Sequence, residues 1–274
     1  MFRKILIANR GEIAVRIIRA ARELGIETVA VYSTADKEAL HTLLADEAVC
    51  IGPAKSTESY LNMSAVLSAA VLTGAEAIHP GFGFLSENSK FATMCEEVGI
   101  KFIGPSAKVM DMMGDKINAR KQMIKAGVPV IPGSDGEVYT AEEALEIAER
   151  IGYPVMLKAS AGGGGKGIRK VEKPEDLVAA FESASSEAQA AFGNGAMYME
   201  RVIYPARHIE VQILADQHGH VVHLGERDCS LQRNNQKVLE ESPSVAIGKT
   251  LRCQIGEAAV RAAQSVGYEN AGTI

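Results

Sequence analysis

Several kinds of protein are excluded by what this sequence lacks. Its four cysteines are widely spaced and form no C-x-x-C pair, so we expect reduced thiols and neither a zinc site nor a disulfide framework. No apolar run approaches the roughly 18–20 residues of a membrane span, and no signal-peptide pattern precedes the first predicted strand. A net charge of −5 argues against nucleic acid as the principal partner. We therefore expect a cytoplasmic protein that binds neither membrane nor nucleic acid.

The first third of the chain alternates predicted strands and helices. The strands are expected at 4–8, 27–32, 47–51, 75–79 and 101–103, and the helices at 12–24, 59–72 and 90–98. This alternation predicts an α/β domain, a doubly wound parallel sheet with helices on both faces. Ligands of such a sheet bind at the carboxyl ends of its strands.

The pattern changes after about residue 108. Two short helices, 107–113 and 116–125, lead into a stretch rich in glycine and proline at 127–136, which is the best candidate for a linker. A turn at 216–219 predicts a hairpin whose second strand is 221–224. We predict an N-terminal domain at 1–113, linker helices at 114–131, a lid subdomain at 132–203 and the start of a further subdomain at 204–274.

The most informative segment of the chain is Tyr153–Gly167. Its apolar residues 155–157 read as a core strand that Lys158 closes, where a half-buried cation needs an anionic partner. The glycines that follow have no Cβ, so their N–H groups can approach a ligand closely. Gly163, Gly164, Gly165 and Lys166 would then form an anion cradle with Lys158, and phosphate is the expected anion.

Two familiar phosphate loops do not fit this segment. Gly162, Gly164 and Gly167 satisfy G-x-G-x-x-G, but the dinucleotide fingerprint needs a helix directly after the turn, and residues 168–171 read as a returning strand. A Walker A loop needs Gly-Lys-Ser/Thr, whereas Gly167 follows Lys166. The remaining interpretation is a glycine hairpin between antiparallel strands, which closes over a nucleotide as a lid.

Other polar segments have two interpretations from sequence alone. On strand 208–213, His208, Glu210 and Gln212 share one face, which is equally consistent with a solvated sheet face. The polar run 232–237 could be a surface loop. By itself Lys116 is an ordinary surface lysine, and the aromatic residues after His79 could belong to a glycine turn in the core.

Four motifs, in order along the whole chain, resemble biotin carboxylase, a member of the ATP-grasp superfamily. They are residues 4–14, 79–88, 102–105 and 225–233. The resemblance implies a pre-ATP-grasp domain followed by an α+β ATP-grasp domain with a glycine-rich lid. It also implies an ATP-dependent ligase that uses MgATP and bicarbonate to carboxylate biotin on a carrier protein through carboxyphosphate.

The resemblance also implies roles for particular residues. Lys116 and Lys158 would contact the nucleotide phosphates, and Lys237 would hold bicarbonate; these three are the predicted catalytic residues. The adenine would meet the strand end formed by Glu200, Arg201, Val202 and Ile203. His208, Gln232 and Asn235 would lie by the nucleotide, and Phe82 and Gly83 on the biotin side. Many members have His where Asn235 stands, and often Tyr where Phe82 stands.

The resemblance extends to partners and to the length of the chain. It implies a biotin carboxyl carrier protein, carboxyltransferase subunits, a homodimer at full length, and a place in bacterial acetyl-CoA carboxylase and fatty-acid synthesis. The magnesium-binding carboxylates (for Mg²⁺ or Mn²⁺) would lie after Ile274, so we expect a C-terminally truncated chain without turnover. The alternatives are a pyruvate-, propionyl-CoA- or methylcrotonyl-CoA-type carboxylase, another ATP-grasp ligase such as carbamoyl phosphate synthetase, or a non-catalytic nucleotide- or partner-binding module.

Overall fold

The computed structural model describes residues 1–114, 116–160, 167–233 and 236–274, and only the backbone of Lys116. These residues form two compact units. One consists of Met1–Met112, Leu214–Val222 and Val266–Gly272, and the other of Met113–Ile213, His223–Ser265 and Thr273–Ile274. The domain borders predicted at 113, 131 and 203 stay predictions. No helix over the described residues is both long and apolar enough to cross a membrane.

The first unit is built on a five-stranded parallel sheet. Its strands are β1 Lys4–Ile7, β2 Glu27–Ser33, β3 Glu47–Gly52, β4 Ala77–His79 and β5 Lys101–Phe102. Their order is β3-β2-β1-β4-β5, and each neighbouring pair is parallel. The helices of this part of the chain are α1 Gly11–Glu23, α2 Leu40–Leu44, α3 Met63–Thr73, α4 Ser89–Glu97 and α5 Ala107–Gly114. The predicted doubly wound sheet is confirmed.

Alternation along β1 gives this sheet a core on each face. Leu6 packs with residues of α3 and α4, whereas Ile5 and Ile7 pack with α1. Helices therefore cover both faces, as a parallel sheet requires. Because β1 and β4 are parallel neighbours, the loops that follow them leave the sheet side by side.

One helix boundary in this unit was predicted wrongly. The helix expected at 59–72 begins at Met63, after a 3₁₀ turn at Ser56–Glu58. Asn62 caps it, since the Asn62 Oδ1 accepts a hydrogen bond from the Ala65 N–H at 3.1 Å. The cap, which apolar periodicity does not reveal, decides where the helix starts.

The second unit is α+β. Its helices are α6 Lys116–Lys125, α7 Ala141–Ile151, α8 Leu177–Phe192 and α9 Lys249–Val266. Strands β6 Val155–Ala159, β7 Ile168–Val171 and β8 Met197–Arg201 form an antiparallel sheet in the order β7-β6-β8. Residues of α7 and α8 share one buried core with this sheet.

A four-stranded sheet completes the described structure. Its strands are β9 Ile209–Ala215, β10 Val221–Arg233, β11 Gln236–Glu241 and β12 Asn270–Thr273, in the order β11-β10-β9-β12. The strand predicted at 221–224 continues to Arg233 and pairs with β11, which was not predicted. The run 225–233 is thus a strand, and its polar residues occupy alternate faces of a sheet.

Candidate functional site

Lys158 lies on the face of β6 opposite the core. Val155, Leu157 and Ala159 are buried, so strand alternation turns Lys158 away from that core. The Lys158 Nζ forms an ion pair with the Glu200 Oε2 on the neighbouring strand β8. The structure thus supplies the anionic partner that a half-buried lysine needs. The sequence analysis places Glu200 only at the strand end expected to meet adenine, and it does not predict this ion pair of the Glu200 carboxylate.

The strands on either side of the glycine run form the predicted hairpin. β6 and β7 are antiparallel with Lys158 opposite Ile168, and the Ala159 N–H donates to the Gly167 carbonyl at 3.0 Å. A strand therefore follows the glycines, as predicted, where a dinucleotide fold would have a helix. Gly163, Gly164, Gly165 and Lys166 lie outside the described residues, as do Asn235 and the Lys116 side chain.

The strand end predicted to meet adenine is partly engaged within the protein. β8 ends at Arg201, whose N–H donates to the Pro132 carbonyl at 2.8 Å, and the Val202 N–H donates to the Pro154 carbonyl at 2.8 Å. Neither N–H is therefore free for a purine edge. Ile203 follows and is 49% exposed, and its apolar side chain is suited to the face of a flat ring.

A second ionic cluster surrounds Glu210 on β9. Its side chain is only 7% exposed, and the two carboxylate oxygens have different cationic partners. The Arg227 Nε donates to Glu210 Oε1 at 2.7 Å, and the Lys237 Nζ donates to Glu210 Oε2. The Arg227 Nη1 also donates to Gln212 Oε1 at 3.0 Å. The predicted polar stripe is thus the base of an ion network between β9, β10 and β11.

The network shifts the pKa values of its members. Burial by itself would raise the pKa of Glu210, but hydrogen bonds from Lys237 and Arg227, together with their charges, outweigh it and hold that pKa below its usual range. The hydrogen bond to Glu210 raises the pKa of Lys237. Both groups are therefore charged at neutral pH, and Lys237 presents a fixed cation.

His208 and Gln232 lie next to this cluster. The Gln232 Nε2 is 3.1 Å from the His208 Nδ1 and donates to the Cys229 carbonyl at 2.9 Å. The His208 Nε2 is 3.8 Å from Glu210 Oε2. The structure therefore brings His208 and Lys237 to one buried carboxylate, with Gln232 in contact with His208.

Arg227 is the residue of this cluster to which sequence reasoning gave no role. It lies on β10 between Glu226 and Asp228, both buried on the other side of the strand. The Glu226 Oε1 accepts from Arg252 Nε at 2.6 Å, and the Ser244 Oγ donates to Asp228 Oδ2 at 3.0 Å. On a strand, Glu226 and Asp228 face one side of the sheet and Arg227 faces the other. Had residues 225–233 been predicted as a strand, these alternating charges would have indicated a separate ion network on each face.

One group of side chains among the described residues has the spacing of a metal site. Ligand atoms of Glu210, Cys229 and Glu240 all lie within 4.8 Å of one another. The donors do not suit a divalent cation, since both Glu210 oxygens already accept from Arg227 and Lys237. Burial also raises the pKa of the Cys229 thiol, which opposes the thiolate that a metal would require.

Phe82 and Gly83 belong to the first unit, in the loop after β4. Phe82 is 62% exposed. Gly83 has a φ of +68°, a conformation that glycine adopts without steric cost. An exposed ring at the carboxyl end of a parallel sheet lies where such sheets bind ligands.

Two family descriptions match the chain in succession. Residues 1–110 match the family described as biotin carboxylase, N-terminal domain. Residues 115–274 match the family described as carbamoyl-phosphate synthase L chain, ATP binding domain. Together the two matches cover almost the whole sequence.

Close relatives share more than half of the aligned residues. Biotin carboxylase 1 of Bacillus subtilis is 58% identical over 274 residues, which are 100% of this chain and 61% of that protein. A biotin carboxylase crystal structure from Campylobacter jejuni, in a β,γ-ATP complex, matches with a TM-score of 0.91 and 54% identity, covering 100% of this chain and 61% of the other. The chain spans 61% of the length of the Bacillus subtilis relative and between 50% and 62% of the length of other curated biotin carboxylases that it matches.

A second solved structure is informative for its ligands. The biotin carboxylase domain dimer of Hydrogenobacter thermophilus 2-oxoglutarate carboxylase, in complex with MgADP, ADP and bicarbonate, matches with a TM-score of 0.87. Its sequence is 53% identical, and the match covers 100% of this chain and 60% of that chain. The likeness therefore holds in sequence as well as in fold.

Proposed function

Because this chain belongs to the biotin carboxylase family, we propose that it supplies the nucleotide- and bicarbonate-binding part of an ATP-dependent biotin carboxylation. The observation that carries the proposal is the pair of strand lysines in the second unit. Lys158 and Lys237 are each held by a carboxylate, Glu200 and Glu210 respectively. Ordered cations of this kind suit a reaction between two anions, ATP and bicarbonate.

The nucleotide would bind to the sheet that carries Lys158. Lys158 would hold the phosphates together with Lys116 and the glycine lid 163–166, which lies outside the described residues. Ile203 would pack on the adenine face, and His208 and Gln232 would lie by the nucleotide with Asn235. Hydrogen bonds to an ionised group are stronger than neutral ones, so the lysines would dominate phosphate affinity. The lid would exclude water from a reactive intermediate.

Bicarbonate would bind at Lys237. The cation lies at the end of an ion network in which Arg227 holds one Glu210 oxygen and Lys237 the other. Arg227 thereby offsets the Glu210 charge and leaves Lys237 positive enough to attract a small anion. Phosphoryl transfer from ATP to bicarbonate would give carboxyphosphate and ADP. Carboxyphosphate would then carboxylate biotin on a carrier protein with release of inorganic phosphate. Phe82 and Gly83 would face the biotin ring.

Magnesium is proposed as the ion that accompanies ATP, since the Hydrogenobacter relative was solved with MgADP. When bound, it would neutralise phosphate charge. The group Glu210, Cys229 and Glu240 does not suit it, because Arg227 and Lys237 already engage both Glu210 oxygens. We assign no magnesium ligand among the described residues. The proposal further includes cytoplasmic location, a homodimer, a biotin carboxyl carrier protein and carboxyltransferase subunits as partners, and a role in acetyl-CoA carboxylase and fatty-acid synthesis.

A second candidate is the same domain in a keto-acid carboxylase. The Hydrogenobacter match belongs to a 2-oxoglutarate carboxylase and is as similar in identity as the Campylobacter enzyme. The two candidates share the biotin half-reaction and differ in the final acceptor. Assay of the protein at the full length of its relatives, with each acceptor's carboxyltransferase component, would separate them.

Calorimetric titration with MgATP tests the nucleotide site. We expect binding heat from the wild-type chain and affinity weakened by about 10- to 100-fold in Lys158→Met, because a charge-assisted contact is lost. Lys170→Met is the matched control, since Lys170 lies on β7 of the same sheet and pairs with the exposed Glu172 at 2.8 Å. A folded chain without binding heat, or equal affinities for both variants, would contradict the proposal and favour a partner-binding module.

A further inference from the structure

Asn9, two positions after β1, forms hydrogen bonds with the loop that carries Phe82. Asn9 is buried, and its Nδ2 donates hydrogen bonds to the carbonyl oxygens of Pro80 and Phe82, both at 2.8 Å. The Arg10 N–H donates to Asn9 Oδ1 at 2.9 Å, which fixes the orientation of the amide. Both donors of one buried amide are therefore engaged by a single loop.

The loop lies too close to Asn9 for any side chain at Gly81. A Cβ at Gly81 would be 2.7 Å from the Asn9 Nδ2, and Gly81 has a φ of +66°, where L-residues are strained. The Gly81 N–H also donates to His79 Nδ1 at 3.1 Å. Close approach and local hydrogen bonding thus fix the start of the loop.

Arg10 fastens the other end of the loop. Its guanidinium carbon lies 5.2 Å from the centre of the Tyr60 ring and 5.6 Å from that of Phe84. The two rings are stacked, with centres 5.0 Å apart and planes 13° apart. The Arg10 Nη1 is 3.3 Å from Asp36 Oδ2, to which the Tyr60 hydroxyl donates at 2.6 Å. Cation–π contact, stacking and an ion pair together hold the Phe84 ring.

Phe84 needs such support, because its φ is +38°. Positive φ is uncommon for a bulky residue and persists where the surroundings over-determine it. Phe82 lies between the part of the loop that Asn9 binds and the Phe84 ring that Arg10 contacts, and Phe82 itself is largely exposed. An exposed aromatic ring on a fixed backbone is pre-organised for ring recognition, since little conformational entropy is lost on binding.

We propose that Asn9 and Arg10 are positioning residues that fix the 80–84 loop so that the Phe82 ring presents a rigid face to the ring system of biotin. This inference rests on the proposed function for the identity of the ligand. It goes beyond that function because it assigns a structural role to Asn9 and Arg10, which the proposed function leaves without one. Neither residue is assigned contact with a substrate, and both act through Phe82.

Tryptophan fluorescence tests the proposal, because the chain has no tryptophan and Phe82→Trp introduces a single reporter. In this background, Asn9→Asp turns the amide donor into an oxygen that repels both loop carbonyls. We expect lower anisotropy and faster acrylamide quenching of the indole, with far-UV circular dichroism unchanged. Arg10→Lys keeps the charge but loses the planar stack, and should shift both readouts in the same direction. Asn62→Asp is the control, since aspartate caps helix α3 as well as asparagine does.

Titration with free biotin gives the second readout. We expect biotin to quench the indole and its affinity to fall by about tenfold in Asn9→Asp, since two hydrogen bonds that order the loop are lost. Unchanged indole mobility in folded Asn9→Asp and Arg10→Lys overturns the proposal. Altered mobility without any biotin quenching in the parent supports the positioning role and instead overturns the biotin side of the proposed function.

Discussion

Glu210→Gln is the substitution whose effect the structure defines most sharply. The substitution keeps the shape of the side chain, removes its charge and turns one acceptor into a donor. Arg227 and Lys237 would then face each other across a neutral amide, with one oxygen left to share. Both cations remain partly buried, with side chains 28% and 36% exposed beside a position that is 7% exposed.

The expected loss of stability lies between two limits. Removing one member of a buried ion pair costs about 3–5 kcal/mol, because an uncompensated charge stays buried. Losing an exposed pair costs about 0–1 kcal/mol. Since Arg227 and Lys237 can regain part of their hydration, we expect Glu210→Gln to lower the free energy of unfolding by about 2 kcal/mol.

Equilibrium urea unfolding, followed by far-UV circular dichroism from pH 7 to pH 4, measures this loss. The folded-state pKa of Glu210 is lowered, so its contribution is complete above the unfolded pKa of about 4.3 and is lost as pH falls through the folded pKa. The difference between wild type and Glu210→Gln should therefore be constant down to about pH 5 and shrink below it.

Glu240→Gln is the matched control for the same experiment. Glu240 lies 3.5 Å from the Arg227 Nε and is 40% exposed, so the same change there should cost less than about 0.5 kcal/mol. Equal losses for the two glutamine variants, or a Glu210→Gln difference that grows as pH falls, would refute the reasoning.

Two further predictions concern the first unit and the cysteines. Gly81→Ala should lower the free energy of unfolding by about 1–3 kcal/mol more than Gly83→Ala does. Both positions have positive φ, but only a Cβ at Gly81 would contact Asn9, and equal melting temperatures of the two variants would contradict this. In thiol titration at pH 8, the two exposed cysteines should react well before Cys95, because burial raises the pKa of Cys95 to about 12. Early labelling of Cys95, detected by mass spectrometry, would refute its placement in the core. The exposed cysteines are Cys50 and Cys253.

Elements with strong periodicity and clear end signals could be predicted from the sequence. The alternating first third predicted the parallel sheet, and the run Tyr153–Gly167 predicted a core strand, a lysine at its end and a returning strand, which the structure places as expected. These signals are local, since apolar spacing, glycine and proline act within a few residues. For the same reason Lys158 could be identified as a cation that needs a partner.

The partners themselves could not be predicted, because they are distant in the chain. Glu200 is 42 residues from Lys158, and Glu210 is 27 residues from Lys237. Their meeting depends on the register of β6 with β8 and on the sheet order β11-β10-β9. A register shift of one residue would turn either side chain to the other face, so residue types alone do not settle the pairing.

The two lysines proposed to bind anions share one arrangement, since each already pairs with a carboxylate of the protein. A half-buried lysine without a partner would leave its charge unpaired away from water, which is costly, and the carboxylate compensates that cost. If phosphate and bicarbonate bind as proposed, each would have to share its lysine with Glu200 or Glu210 or displace that carboxylate, so the measured affinity would be a difference between two ion pairs.

The cost of releasing the protein's own carboxylate should be smaller at Lys237 than at Lys158. Arg227 would still pair with Glu210 if Lys237 turned to the proposed anion, so the carboxylate would keep a cation. Glu200 forms its ion pair with Lys158, and over the described side chains no second cation holds it as Arg227 holds Glu210. Release of Glu200 should therefore contribute more strongly to the salt dependence of nucleotide binding than release of Glu210 does to that of bicarbonate binding.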